Sequence, residues 1–544
     1  MWPARLIGAV YLAWAMIVMW HAPRVPYADG WRFLGHFASA DFPRDIFMPD
    51  NGHFEVIPNI VRVIELHLFD ADQSLQVWIG IILFLASLYI GWRCIRGAAS
   101  PERRAAAILA MVLGFCWLGN ARTLAHANES VHAYAVLFFL CSGIGFLARQ
   151  SGPVGMRNAS MAAVCGFCAA ISFGSGIAVF SGFLVIAIAR QAPARSITVL
   201  LFSATASYLL IRSAGAGAAP ELDPLRQLDL ALRWLSAPWL HAAGPVVDPA
   251  VSNRLASPIA RGALIPVAER WEAAMGPAAL ARWPYVAISA IGISILATVT
   301  YRSIRRGGDG SARLLGLGMS WFALSVGMMV ATVRTAYFDI HPDQLMAPRY
   351  LVWSSLFWSG LAITLVAGTQ WPRRALLTSI VASVTLLPSQ FWTSQLAGDI
   401  RVVAGQTATA AAVGVIEPDL LTGETVAGDL ARALPPLRRL GAAVFAWPET
   451  GMLARVASQS VHDLAVADIN VEPVANLLGP PGRRVRFIMS DPGAHRVLLI
   501  DDDGVVRGLA APDAMRGAGA WIGWMRGQPA TSRVRVSVLR PSVR

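Results

Sequence analysis

Residues 76–120 read QVWIGIILFLASLYIGWRCIRGAASPERRAAAILAMVLGFCWLGN. Two apolar runs, 76–93 and 105–120, flank a short stretch that holds Arg93, Arg96, Arg103 and Arg104. A helix of about 20 mainly apolar residues is long enough to cross the hydrocarbon core of a bilayer. The segment therefore reads as two antiparallel spans joined by a basic loop, and arginines in a short loop mark the cytoplasmic side.

The pattern extends in both directions. Further apolar runs lie at 5–22, 132–148, 158–172, 176–190, 196–212, 284–301, 314–333, 350–368 and 375–392, which makes about eleven spans in all. Every second loop is short and basic: Arg149 and Arg157, then Arg190 and Arg195, then Arg302, Arg305, Arg306 and Arg313, then Arg373 and Arg374. This alternation puts the N-terminus in the cytoplasm, and an odd number of spans puts the C-terminus outside. The first run has no small-residue cleavage site before Pro23 and reads as an uncleaved span. The expectation is an α-helical polytopic membrane domain over 1–393, with outer loops at 23–75 and 213–283. An extracytoplasmic domain follows over 394–544.

Composition agrees. Of 544 residues, 55% are hydrophobic and 14% charged, with mean hydropathy +0.52, whereas soluble chains carry roughly a quarter charged residues. A water-soluble enzyme, a disordered chain and a disulfide scaffold are all excluded. The net charge of +12 comes from arginine alone, since the chain has no lysine. Those arginines cluster between apolar runs, so the partner is the lipid bilayer and not nucleic acid. The five cysteines fall in or beside apolar runs, and Cys165 and Cys168 form a lone C-x-x-C, short of the four ligands a structural zinc site needs.

The C-terminal domain changes period along its length. Residues 394–456 read as helical, and 424–445 as an amphipathic helix with Leu434, Leu437 and Leu440 at helical spacing. Pro435 and Pro436 mark a start or a kink in it. From about 481 apolar residues alternate, as in Arg484-Val485-Arg486-Phe487-Ile488 and Val534, Val536, Val538. Asp503-Gly504 between two such runs signals a hairpin. The expected architecture here is a small β-sandwich over about 465–544.

Ionisable residues gather at the outer ends of the spans, where they are expensive to place and so mark function. Asp29, in Tyr27-Ala28-Asp29-Gly30-Trp31, suits a base that accepts a hydroxyl proton or an ordinary interfacial acid. His53 and Glu55 suit substrate contact or a cap on the helix that follows. In that helix Arg62, Glu65 and His67 fit an amphipathic segment lying in the interface. Arg122, His126 and Glu129, with His132 beyond, suit the polar lining of a cavity; His126, Glu129 and His132 do not have a recognised zinc spacing. Arg334 and Arg349 bracket a loop with Asp339 and His341 and end at Tyr350, against the positive-inside trend. They suit a lipid phosphate through bidentate hydrogen bonds, or headgroup snorkelling. The break Ser172-Phe173-Gly174-Ser175-Gly176 is either a tight outer turn or a cavity wall.

An early acid in a long first outer loop, about eleven spans and an outer C-terminal domain resemble the C-type membrane glycosyltransferases. The chain also resembles a broad group of bacterial polytopic proteins with an N-E-H-R-x-x-x-P run and an S-R-Y. Asn51, His53 and Pro58 match the first motif, with Gly52 and Phe54 in place of its acid and base. Arg349-Tyr350 matches the second, with Pro348 in place of serine. The resemblance implies an inverting transferase that moves sugar from a polyprenyl-phosphate donor to an envelope glycan or lipid acceptor. It would work on the outer face of the bacterial inner membrane. Asp29 would be the base, Arg334, His341, Arg349 and Tyr350 would hold the lipid phosphate, and His53, Glu55, Arg122, His126, Glu129 and Asp339 would hold substrate. A divalent ion, Mg or Mn, is an open cofactor. The rival expectations are a lipid-linked glycan flippase, a non-catalytic scaffold, and an envelope glycan ligase or polymerase. The ligase would use Arg226, Arg233 and His241 in the 213–283 loop.

Overall fold

The apolar runs fold as helices because a chain shielded from water must satisfy its backbone polar groups within each segment. Proline falls in the first turn, where no intrahelical N–H is lost, at Pro3, Pro101, Pro372 and Pro388, and lies inside a helix at Pro238, Pro435 and Pro436. The computed structural model describes residues 1–40, 42–98, 100–148, 152–215, 223–243, 266, 270, 282–307, 309–421, 425–457, 461–490, 495–514, 516–517, 519–527 and 534–539.

In chain order the helices are α1 (Trp2–Trp20), α2 (Gly30–Phe37), α3 (Val56–Leu68), α4 (Ser74–Ile95) and α5 (Pro101–Cys116). Next come α6 (Ala127–Ala148), α7 (Met156–Ala170), α8 (Val179–Ala189), α9 (Ala194–Ser213) and α10 (Pro224–Ala243). They are followed by α11 (Arg282–Arg306), α12 (Ser311–Val333), α13 (Leu351–Gly368), α14 (Pro372–Thr385), α15 (Leu387–Val413) and α16 (Ala427–Leu440). Among the described residues eight helices are long and apolar enough to cross a membrane, or nine if the bent pair α14–α15 counts as one span. About eleven are expected from the sequence. All eleven runs are helical, but α7 has 15 residues and α8 has 11. At about 1.5 Å per residue both fall short of a hydrocarbon core about 30 Å thick.

The arginine-rich loops meet at one end of the bundle. Arg103 donates to Thr369 O at 2.6 Å, Ser311 to Cys94 O at 2.6 Å, and Arg190 to Gly152 O at 2.7 Å. The segments holding the candidate site residues lie at the other ends of the same helices, and the C-terminal domain lies with them. Trp117 Nε1 donates to Ser389 Oγ at 2.9 Å where α15 leaves the bundle, and Gln406 on the same helix reaches Asp513 in the sheet.

Small residues let the central helices close. A Cβ on Gly360 of α13 would lie 2.6 Å from both Gly316 O and Ser320 Oγ of α12, the close approach that small residues spaced four apart allow between apolar helices. Gly360→Leu is expected to destabilise the bundle by about 1–3 kcal/mol through overpacking. Thermal unfolding in detergent should show a lower midpoint, with Gly360→Ala between it and the parent.

The loop expected at 213–283 contains α10, a helix packed against α11, α12 and α13 with Trp234 fully buried. Most of the rest of that loop lies outside the described residues. The expected domain boundary at 393/394 falls inside α15. Residues of the first outer segment, among them Tyr27, Trp31, Phe33 and Leu34, share one apolar core with Leu430, Leu437, Leu498 and Trp524 of the C-terminal domain. Gly35 of α2 sits against the backbone of Ala433 on α16. In α16 the buried face is Leu430, Ala433, Leu434 and Leu437, while Leu440, expected on it, is 50% exposed, and Pro435 and Pro436 lie within the helix.

The expected β-sandwich is one antiparallel sheet instead. Its strands are β1 (Val461–Asp463), β2 (Ala467–Val474), β3 (Gly482–Ile488), β4 (Val497–Ile500), β5 (Val506–Pro512), β6 (Ala520–Met525) and β7 (Arg535–Leu539). They run in the order β1-β7-β4-β5-β6-β3-β2. The two edges, β1 and β2, are joined by residues 464–466 alone, a reach of roughly 10 Å, while seven flat strands would span roughly 29 Å. The sheet must curl on itself. Its inner face closes over Val485, Phe487, Leu499, Trp521 and Val536, and its outer face packs on the helices through Leu498, Ile500 and Trp524. The Asp503-Gly504 hairpin joins β4 to β5 as expected, with Gly504 at φ 72°.

Candidate functional site

Asp29 precedes α2, and Arg32 follows one turn later, so the two side chains meet at 2.9 Å. Arg32 is shared. Its Nη2 and Nε grip Asp50 at 2.7 and 2.9 Å, and Asp429 of α16 lies 3.9 Å away. One guanidinium thus gathers carboxylates from two outer segments and from the C-terminal domain. Asp29 is the most open of them, 46% exposed against 25% for Asp50 and 8% for Asp429.

Beneath this lies a buried cation. Arg62 on α3 pairs with Glu55 at 2.6 Å and donates to Asn59 and Asn128, each at 2.6 Å. Its guanidinium stacks 3.7 Å from the Phe33 ring. His132 on α6 approaches Glu55 at 3.8 Å, and its ring lies parallel to Phe173 at 4.2 Å. His53 meets the same Phe173 at 4.3 Å, and Trp353 lies beyond at 6.3 Å. The 172–176 break is thus both a turn and part of the wall. Gly174 has no room for a Cβ because the His53 ring occupies that space. His53 Nδ1, His132 Nδ1 and Ser175 Oγ are buried without a hydrogen-bond partner among the described residues, and such groups need one.

Arg122 closes a separate trio. It pairs with Glu129 at 2.8 Å and His126 at 2.5 Å, and lies 5.3 Å from the Tyr27 ring. His126, Glu129 and His132 therefore do not act as one face: the first two turn to Arg122 and the third to Glu55. Among the described residues no group of three His, Cys, Asp or Glu side chains is placed to hold a metal ion.

The arginines of the last outer segment converge on Tyr337. Arg334 lies 5.8 Å from its ring, Arg349 donates to its hydroxyl at 3.4 Å, and His341 packs on it at 4.9 Å. Arg349 also lies 5.1 Å from the Tyr350 ring. Neither arginine has a carboxylate partner among the described residues, whereas Arg32, Arg62 and Arg122 all do. Asp339 is not in the cluster; it faces outward and pairs with Arg226 of α10. Arg233 pairs with Asp229 at 3.2 Å, and His241 Nε2 meets Met346 O at 3.0 Å.

His53 links the acidic and basic halves electrostatically. Burial, with Arg334 and Arg32 nearby, pushes its imidazolium down to about 4 from 6.5, and Asp50 pulls the other way. Burial also pushes the Glu55 carboxyl up against the pull of Arg62, and Glu65 up to about 8. An imidazole kept neutral by folding takes up a proton on unfolding, so its contribution is complete above 6.5. That contribution is lost as pH falls from 6.5 to about 4. His53→Gln should make melting temperature fall less steeply across that window; parallel curves would contradict the assignment.

Sequence reasoning missed Arg32, Asp50 and Asp429, and gave no role of its own to Tyr337. Arg32 carried a signal, one helical turn after Asp29, whereas Asp50 and Asp429 reach the site only through tertiary packing. Compared with protein-family models, curated proteins and solved structures, the chain matches none.

Proposed function

We propose that the protein is an inverting glycosyltransferase that uses a polyprenyl-phosphate sugar in the plasma membrane. Its arginine loops face the cytoplasm, and its C-terminal domain lies on the extracytoplasmic side. The observation that carries this is the contrast among the site's cations. Three are neutralised by carboxylates, while Arg334 and Arg349 meet at one tyrosine and have no carboxylate partner among the described residues. Planar guanidinium groups suit a phosphate.

In this reading the acceptor hydroxyl attacks the anomeric carbon as the carbon–oxygen bond to the phosphate breaks. The new glycosidic bond forms with inversion, the proton passes to Asp29, and polyprenyl phosphate departs as an anion toward Arg334 and Arg349. Arg32 orients Asp29. The rings of His53, Phe173 and His132 form the wall between the two halves, where the buried His53 Nδ1 and His132 Nδ1 have no hydrogen-bond partner among the described residues. No step is routed through a divalent ion, for which the described residues offer no ligand cluster.

The test is sugar transfer by purified protein from a panel of radiolabelled polyprenyl-phosphate sugars to extracted envelope lipids and glycans. A lost charge-assisted hydrogen bond is worth about 1.5–3 kcal/mol, so Arg349→Gln should lower kcat/KM about 10- to 100-fold. Undiminished transfer by Arg349→Gln would remove the phosphate role.

A further inference from the structure

Helix α3 is amphipathic in the opposite sense to a helix on a water-facing surface. Asn59, Arg62 and Glu65 are buried at 2%, 2% and 0% exposure, while Ile60, Ile64 and Leu68 are exposed at 43%, 39% and 74%. Ile57 and Val61 lie on the same outward face at helical spacing, partly exposed. Arg62, Glu65 and His67 are expected together on the polar side of an interfacial helix; Arg62 and Glu65 instead point into the protein, and His67 is exposed on the side of Ile60. Beside it, the short 3₁₀ turn Arg44–Phe47 adds Phe47 at 56%, with Phe42 at 66% and Met48 at 48% around it. A soluble surface seldom gathers so many large apolar side chains in one place.

The chain fixes the level of this face. Leu68 is separated from the start of α4 by residues 69–73 only, and Glu65 accepts a hydrogen bond from Gln76 N in the first turn of α4 at 2.8 Å. Trp20 at the end of α1 and Trp78 near the start of α4 pack edge to face at 5.1 Å, each 48% exposed. Exposed tryptophans at the ends of apolar spans sit at the membrane–water boundary. Below Trp78 the outward face of α4 continues with Ile82 and Leu85, at 56% and 40%.

We propose that the occupant of this surface is the bilayer itself. The outward face of α3 (Ile57, Ile60, Val61, Ile64, Leu68), with Phe42, Phe47 and Met48, is embedded in the leaflet on the side of the C-terminal domain. The helix lies in the plane of the membrane. The inference does not depend on the transferase reading. It makes the lipid surface one wall of the support for Arg62, because the helix that presents this cation inward is seated on lipid outward.

The experiment uses the full chain in lipid nanodiscs, with Cys168→Ser in the background because the other four cysteines are buried. Single cysteines replace Ile60, Ile64 or Phe47, with Asp468→Cys on exposed β2 as the aqueous reference. Each is labelled with an environment-sensitive fluorophore. The three test positions should show blue-shifted emission, strong quenching by nitroxide-labelled lipid and protection from aqueous iodide, and the reference should show the reverse. Iodide quenching at Ile60 and Ile64 equal to the reference would overturn the proposal. Protection from both quenchers would also overturn it, by showing that protein covers the face.

Discussion

Replacing Arg62 with methionine is expected to destabilise the folded chain by about 3–5 kcal/mol, the range for removing one partner of a buried ion pair. The substitution keeps much of the volume over the Phe33 ring but leaves Glu55, at 2% exposure, with only the His132 imidazole beside it, 3.8 Å away, among the described pairs. It also removes the donor to Asn59 within α3 and the donor to Asn128, which ties α3 to α6. Unfolding in detergent should show the loss directly. Glu55→Gln combined with Arg62→Met should recover part of it, since a neutral amide no longer needs the counter-charge. A double variant no better than Arg62→Met alone would mean that packing and the asparagine bonds dominate over the ion pair.

The second large effect is on chemistry. Asp29→Asn should lower the transfer rate about 10²- to 10⁴-fold, the usual contribution of a positioned general base. The fold should barely respond, because a half-exposed pair with Arg32 contributes about 0–1 kcal/mol. The carboxylate must take a proton, which an amide of the same shape cannot do. Donor affinity should stay within a few-fold, because Asp29 is not among the residues that face the phosphate.

Much of the architecture is legible locally. Apolar runs bounded by arginine loops become helices whatever packs around them, and the loops reveal their common end because lipid and charge act on each separately. The Asp503-Gly504 hairpin is equally local. Which runs are long enough to cross is not, because the break at Ser172-Phe173 ends α7 early for the sake of a ring placed between two histidines. Nor is the curl of the sheet: alternation identifies strands but not the pairing of β1 with β7 and β2 with β3.

The site divides in the same way. Arg334 and Arg349 are close in sequence, so their convergence on Tyr337 is readable. Arg62, Glu65 and His67 are legible as residues of one amphipathic helix, but not the inward facing of Arg62 and Glu65, because helical spacing shows that two faces differ and not which one is buried. Asp50 and Asp429 join Arg32 from 18 and 397 positions away (50 − 32 and 429 − 32). No local pattern encodes the second of these.

The central claim is that Asp29 and the Arg334–Arg349 pair serve one transfer reaction from a lipid phosphate. Its most direct measurement is radiolabelled sugar transfer by the purified chain, compared among wild type, Asp29→Asn and Arg334→Gln/Arg349→Gln, each confirmed folded by its melting profile. Wild type is expected to transfer sugar, Asp29→Asn to lose rate with unchanged donor affinity, and the arginine pair to lose donor affinity. Wild-type rates retained by either folded variant, or no transfer by wild type from any polyprenyl-phosphate sugar, would contradict it.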